Sequence, residues 1–558
     1  MSASSKKKLR KEQEAAALTE KQLKEQAAAK KLKIQTIAFV TAMILILCIA
    51  IGTIVYTNIQ KSGILQKNIT AANINGHELN SVELGYYYVD AISKAYNDWT
   101  NTYGDSTVAL LKMMGLDLSA PLNTQIFDPT TNQTWADYFI AVAVENARGT
   151  YALYDAAVAE GFVMSEEDRA ILDENTQLFV DYADLFSAGD VDAYVQSLYG
   201  TGASLETYKE YVNIVGTANA YQSEYFNSLT YDEAAIREHE ATRYNDFTGY
   251  SFAYKFLDPE EYVHQHDETE ETHEHSEAEN AEALKKAKAA AESLLTAKTV
   301  EEFDAMIAAL DIYAVAEGED TIPTASTKAV DTLLTSVLEA LRDWLSADER
   351  KEGDTTVIPY YTDTTNEDGT TTSTLMGYFA VFYQSKNENL RPLSNVRHLL
   401  VAFEGGTTGT DGTKVYSDDE KAAAKAEATE LYEQWKKGDA TEESFIALVK
   451  EHSDDGSAEE GGLFEDISPE SQYVPNFLNW AIDSSRKAGD AEVIETEYGY
   501  HIMYYVGDSE TTYRDLLIRD AMQSADYNSW IESKEEGVTA ELLNAKYMYR
   551  SYIVYQGY

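Results

Sequence analysis

The first apolar feature of the chain is unbroken: residues 36–56 carry no charge and are mostly Ile, Leu, Val and Ala. As a helix this run spans about 30 Å, the thickness of a bilayer core, and it predicts a transmembrane helix within residues 34–57. The pattern then becomes periodic. Ile140, Val144, Ala147, Tyr151, Tyr154 and Val158 recur at helical spacing, opened by Thr134 and Asp137 as a capping box and closed by Gly161. Ser165 with Asp168, and Thr230 with Glu233, predict two further helix starts on the same grounds. Residues 71–76 read as an entry turn into helix, and no long alternating run follows before residue 247. The expectation is an all-α domain over residues 58–247, with loops around 115–134 and 187–202. Tyr513, Leu516, Leu517, Met522, Tyr527 and Trp530 resume the helical period and predict a helical segment over residues 509–558, packing back on that all-α domain.

Between these stretches the sequence repeats itself. Trp344, Arg350, Lys351, Gly353 and Asp354 share the spacing W-x5-R-K-x-G-D with Trp480, Arg486, Lys487, Gly489 and Asp490. A Val-Ile pair follows each (Val357-Ile358 and Val493-Ile494), then a Gly-Tyr pair (Gly377-Tyr378 and Gly499-Tyr500). The last two marks are 19 positions apart in the first copy and 5 in the second, a difference that a polar hairpin loop absorbs at little entropic cost. Upstream, Thr299 to Phe303 matches Thr441 to Phe445, each after an Ala/Lys/Glu-rich helix. The pattern predicts two tandem domains of one fold, residues 248–388 and 389–508.

Charge fixes an orientation. The 558-residue chain has a formal net charge of −51, yet residues 1–33 hold ten Lys and Arg against four Asp and Glu. The positive-inside rule places this basic segment in the cytoplasm and the bulk of the chain outside a cell membrane crossed once. A cleaved signal peptide is the other reading of the apolar run, although such a region is shorter and no small-x-small cleavage site follows. The acidic remainder argues against a nucleic-acid partner. The single cysteine, Cys48, lies within the apolar run, so no disulfide framework is available, and Leu47 before it disfavours a lipid-modified site.

Chemistry concentrates in the second copy. Val396-Arg397-His398-Leu399-Leu400-Val401 opens it and Gly499-Tyr500-His501-Ile502 closes it, with Ser453-Asp454-Asp455, Gly461-Gly462-Leu463 and Tyr473-Val474-Pro475-Asn476-Phe477 between. In order and spacing this resembles the parvulin family of peptidyl-prolyl cis-trans isomerases. The resemblance implies an α+β fold, a small antiparallel sheet with surrounding helices in each of two parvulin-like domains, and an isomerase needing no cofactor. It assigns His398 and His501 as paired central histidines, Asp455 as the group facing the substrate imide, and Thr496 as their supporting hydroxyl. Leu463, Tyr473 and Phe477 are assigned to the proline pocket. Leu463-Phe464-Glu465 follows Gly462 directly where the family usually has an acidic residue, leucine and glycine, and Tyr473 replaces the usual methionine. The loop Ala402-Phe403-Glu404-Gly405-Gly406 lacks the cations a phosphorylated substrate requires.

The first copy has no histidine in residues 250–256, carries Phe379 where the second has His501, and has no counterpart of the Ser-Asp-Asp and Gly-Gly segments. It is expected to be an inactive, structural or client-binding module. Its first loop holds His264, His266, His273 and His275, either metal ligands or a solvated acidic loop whose charge changes with pH. The tyrosines of residues 58–247 read as helix-packing core or as a concave surface for unfolded segments. The implied activity is that of a membrane-anchored extracytoplasmic foldase acting on unfolded or partly folded exported proteins with X-Pro bonds. A non-catalytic holdase and a cell-envelope scaffold are the alternatives.

Overall fold

The computed structural model describes residues 4–11, 62–187, 189–263, 276–313, 325–365, 370–408, 413–545 and 548. The expected membrane helix (34–57) and the four histidines of the 264–275 loop lie outside them. Among the described residues no helix is long and apolar enough to cross a membrane. The chain divides into two compact units, Met1–Leu229 with Asp526–Tyr558, and Thr230–Ala525.

The first unit is built on the helices Ser81–Tyr103, Trp135–Glu160 and Leu205–Ser228. Thr134 caps the second in a reciprocal capping box with Asp137, and Gly161 ends it in the left-handed region at φ 71°. Leu84, Phe139, Ile140, Ala143 and Ala147 form the core of the packed helices. The tyrosines join that packing: Tyr86 is fully buried, and its hydroxyl bonds Thr207 Oγ1 at 2.7 Å.

The unit is not all helix. Asn75 and Gly76 take positive φ (51° and 91°), the backbone a tight two-residue hairpin demands, and join strands Thr70–Ile74 and His77–Asn80. Strand Ala540–Leu542 pairs on the other side of the first, Ile74 opposite Ala540. The expected loop over 187–202 contains the helix Val191–Tyr199, capped by Asp190. Within this unit Arg148 pairs with Glu535 at 2.8 Å, and Lys534 with Glu160 at 2.6 Å.

The second unit holds two four-stranded antiparallel sheets with one topology. In space the first runs Thr327–Leu333, Gly249–Leu257, Thr371–Asn387, Thr355–Thr365; the second runs Leu463–Ile467, Pro392–Ala402, Gly499–Thr512, Ala491–Glu495. Each is covered on one face by two helices, Glu277–Ser293 with Val300–Ala308 and Asp418–Lys437 with Glu442–His452. The opposite face packs a short helix, Glu339–Leu345 or Pro475–Ala481.

The shared W-x5-R-K-x-G-D motif makes the same contacts twice. Arg350 lies 4.0 Å over the Trp344 ring and Arg486 4.3 Å over Trp480. The Lys351 and Lys487 amides donate to Asp354 and Asp490 at 2.9 and 2.8 Å. Gly353 and Gly489 turn at φ 86° and 90° and donate to the carbonyls of Tyr383 and Tyr505. The motif is thus a turn that delivers the chain from the short helix into the sheet.

Ahead of the first sheet, helix Glu233–Arg243 is capped by Asp232, whose carboxylate accepts Ala235 N–H at 2.8 Å; Thr230, expected in that role, lies two residues upstream. Arg514, on the helix Tyr513–Glu535, is fully buried and binds what surrounds it. It pairs with Glu240, donates to the carbonyls of Tyr244, Phe247 and Glu388, and stacks 4.0 Å over the Tyr244 ring.

Candidate active site

The site lies on the face of the second sheet covered by the short helix Pro475–Ala481. Alternation along Pro392–Ala402 sends Leu399 and Val401 toward the two long helices and leaves Val396, His398 and Leu400 on the other face. His398 is opposite Met503, and His501 opposite Leu400, on the neighbouring strand. The two imidazoles, 103 positions apart in sequence, stack with centroids 5.2 Å apart and their Nδ1 atoms 3.0 Å apart. Both are buried.

The bonds at either end set the protons. Asp455 caps the turn Gly456–Glu460, accepting the Ser457 N–H at 2.9 Å and its hydroxyl at 2.6 Å. The remaining neighbour of its Oδ1 is His398 Nε2 at 3.4 Å, and the His398 and Ser457 hydrogen bonds hold the Asp455 carboxyl well below the usual carboxylate range. Facing an anion, His398 Nε2 carries hydrogen, so its Nδ1 accepts from the Nδ1–H of His501. The Nε2 of His501 then accepts the Thr496 hydroxyl at 2.9 Å, while Thr496 Oγ1 accepts Tyr498 N–H at 3.2 Å. Burial, with His398 beside it, pushes His501 down to about 4, so the His501 ring is neutral near pH 7.

Above the imidazoles stand three rings. Phe477 is buried, 5.3 Å from His398 edge-to-face and 5.7 Å from His501. Tyr473 lies 5.1 Å from Phe477, and Phe464 lies 5.0 Å from His398 and 5.4 Å from Tyr473. Phe464 takes the wall position expected of Leu463. Leu463 is opposite Arg397, whose side chain turns to Glu442 on the helix side, so Leu463 lies on the sheet face away from the histidines. Phe464, opposite Val396, lies on theirs. Two residues escaped sequence reasoning: Phe464, an aromatic one strand position past Leu463, and Ser457, which bonds Asp455 and approaches His398 Nε2 at 3.4 Å.

Gly461 and Gly462 bring this wall in. Both take left-handed φ (71° and 65°), and a Cβ on Gly462 would sit 2.1 Å from the His398 carbonyl oxygen. That contact carries the pairing, since the His398 N–H donates to the Gly462 carbonyl at 2.9 Å. The loop after the His398 strand holds a carboxylate already: the Gly406 N–H donates to Glu420 at 2.9 Å. An anion such as a phosphate is disfavoured there. Among the described residues no group of three His, Cys, Asp or Glu side chains could hold a metal ion.

Two imidazoles locked by hydrogen bonds beneath an aromatic seat form a site for turning a bond rather than breaking one. Residues 398–507 match the family model of the PPIC-type PPIase domain, the rotamases. The chain thus carries a parvulin-type, PPIC-type peptidyl-prolyl cis-trans isomerase domain over these residues. Among solved structures it is similar to the PPIase domain of TbPar42 (25% identity, covering 20% of this chain and 98% of that one, TM-score 0.16). It is also similar to PrsA from Bacillus subtilis (24%, covering 27% and 49%, TM-score 0.17) and to PrsA from Bacillus cereus (22%, covering 26% and 49%, TM-score 0.17). The alignment spans about half of each of these two PrsA chains. No curated protein matches the chain.

Proposed function

We propose that this protein is a membrane-anchored extracytoplasmic foldase that isomerises X-Pro bonds in exported proteins through His398, Asp455, Thr496 and His501, with Phe464, Tyr473 and Phe477 seating the proline. The hydrogen-bonded histidine pair under the ring cluster carries this reading. Rotation about an X-Pro bond faces a barrier of about 18–20 kcal/mol because amide resonance must be lost. An apolar seat removes water from the imide, and fixed dipoles beneath it stabilise the twisted state without forming a covalent bond. The uncharged run over residues 36–56 behind a basic segment supports the anchor.

Residues 248–388 are, in this reading, a second parvulin-like domain without the catalytic groups. Its support is the common strand order and the twice-made contacts of the W-x5-R-K-x-G-D motif. The test is acceleration of cis-trans isomerisation of a proline-containing tetrapeptide by the purified chain, and its loss in Phe477→Ala. A rate equal to the uncatalysed one removes the enzymatic reading.

One observation favours a holdase role for the helical unit. On helix Glu166–Ser187, Ile171, Leu178, Tyr182, Leu185 and Phe186 are all at least half exposed and follow helical spacing. Suppressed aggregation of a denatured client that survives Phe477→Ala would establish it.

A further inference from the structure

The register of the first sheet identifies what replaces each part of the site. Phe379, third in Gly377-Tyr378-Phe379, is opposite Ile358 and Phe256, as His501 is opposite Ile494 and Leu400. Two positions away Tyr254 faces Val381, as His398 faces Met503. Ala329 faces Phe252 as Phe464 faces Val396. Counting back from the shared tryptophans, Leu341 stands where Phe477 does and Val337 where Tyr473 does. The imidazole pair has become a tyrosine and a phenylalanine, and the three seat rings have shrunk to an alanine, a leucine and a valine.

Where those three rings are missing there is a cavity of about 470 Å³, lined by Tyr254, Ala329, Val337, Leu341, Ile358 and Phe379 among others, with Leu338 42% exposed beside them. The side-chain heteroatoms of the lining are hydroxyls of Tyr254, Thr332 and Ser336, and none is charged. A charged ligand entering it would lose its hydration with nothing in return. A space of this size exceeds what a prolyl ring fills and suits a bulky apolar side chain together with its flanking backbone.

We propose that residues 248–388 form a non-catalytic peptide site that takes a bulky apolar side chain of an extended segment of the client into this cavity. The proposal rests on the tandem-domain reading above and adds a ligand class to it. The first site would hold a segment by its apolar residue while the second turns a proline elsewhere in the same chain. With no proton-carrying pair beneath the cavity, bound prolines there are not isomerised.

The test uses the full chain and a short fluorescein-labelled peptide, free of proline, that alternates phenylalanine with serine. Fluorescence anisotropy should show binding, weakened about ten-fold, the size of a lost hot-spot contact, by Ala329→Trp, which fills the cavity, and by Leu338→Lys, which puts a charge beside it. Leu338 is exposed enough for the second variant to fold if the first does not. Isomerase activity on a tetrapeptide should be unchanged in both, and peptide affinity unchanged in Phe477→Ala. No binding by the wild type, equal binding by wild type and Leu338→Lys, or loss of binding in Phe477→Ala would each overturn the proposal. Loss of binding in the two cavity variants of a wild type that shows no isomerase activity would sink the isomerase function and leave this site standing.

Discussion

The Nδ1 atoms of His398 and His501 lie 3.0 Å apart, so the two rings share one hydrogen and neither can change tautomer alone. Asp455 at one end and Thr496 at the other complete a chain in which every donor meets an acceptor. Thr496→Val removes the last donor while keeping shape. It is expected to lower kcat/KM for a prolyl tetrapeptide by about ten-fold, and Asp455→Ala by about as much, in the range one positioned proton-holding group supplies. Both should leave KM nearly unchanged, since neither group belongs to the apolar seat.

The two faces of one strand give a paired experiment. Phe464→Ala removes a ring that touches His398, Tyr473 and Phe477, and should raise KM several-fold. Leu463→Ala, on the opposite face, should leave KM within error. The reverse result would mean that the strand register in solution is shifted by one.

Acid should loosen the domain before it reaches the carboxylates. His501 falls from the ordinary value of 6.5 to about 4 in the fold, so between these pH values the unfolded chain binds a proton that the native one does not. Stability therefore falls as pH drops from 6.5 to 4, by about 3 kcal/mol at most at 1.36 kcal/mol per unit. Below that window the depressed Asp455 carboxyl adds its own loss, because its stabilisation is present above the unfolded carboxylate value and disappears as pH falls through the folded one. Hydrogen exchange on peptides covering the His501 strand, at pH 7 and pH 4.5, reads the first loss. A His501→Asn variant should show little difference between the two.

Gly462→Ala is expected to cost about 2–4 kcal/mol, because a left-handed φ of 65° and a Cβ 2.1 Å from a carbonyl must both be relieved. Urea denaturation should show it against Gly456→Ala, where a Cβ meets nothing within 4 Å.

Arg514→Met should cost about 3–5 kcal/mol in the same assay, since it removes a buried cation shared by the Glu240 carboxylate and three carbonyls, leaving Glu240 to Arg237, the Phe247 carbonyl to Asn389 and the Tyr244 carbonyl to Thr248. Arg237→Met should cost about 1 kcal/mol or less, being nearly half exposed.

The repeat and the histidine positions could be read from the chain because each is written as residue spacing: a tryptophan and an arginine six positions apart, a histidine directly after a strand-opening Gly-Tyr. The capping box at Thr134 is equally local. The resemblance assigns Leu463 to the pocket wall, but strand pairing, a contact between distant segments, decides which of two adjacent residues faces the site, and it selects Phe464. The hairpin at Asn75-Gly76 carried its signal in two residues, but its third strand lies more than 450 positions away, so the stretch reads as a turn before a helix. Arg514 had no signal at all: a single arginine on a helical period gives no hint that three carbonyls converge on it.

That third strand has a consequence for synthesis. Ala540–Leu542 completes the small sheet begun at Thr70, and the helical unit draws its last part from residues beyond 525. A chain emerging from its N-terminus presents Thr70–Ile74 with one edge unpaired until almost all of the protein has been made, whereas residues 230–525 are contiguous and can close as soon as they appear. The chain thus passes through a stage in which its isomerase domain is finished while its helical unit still lacks a strand.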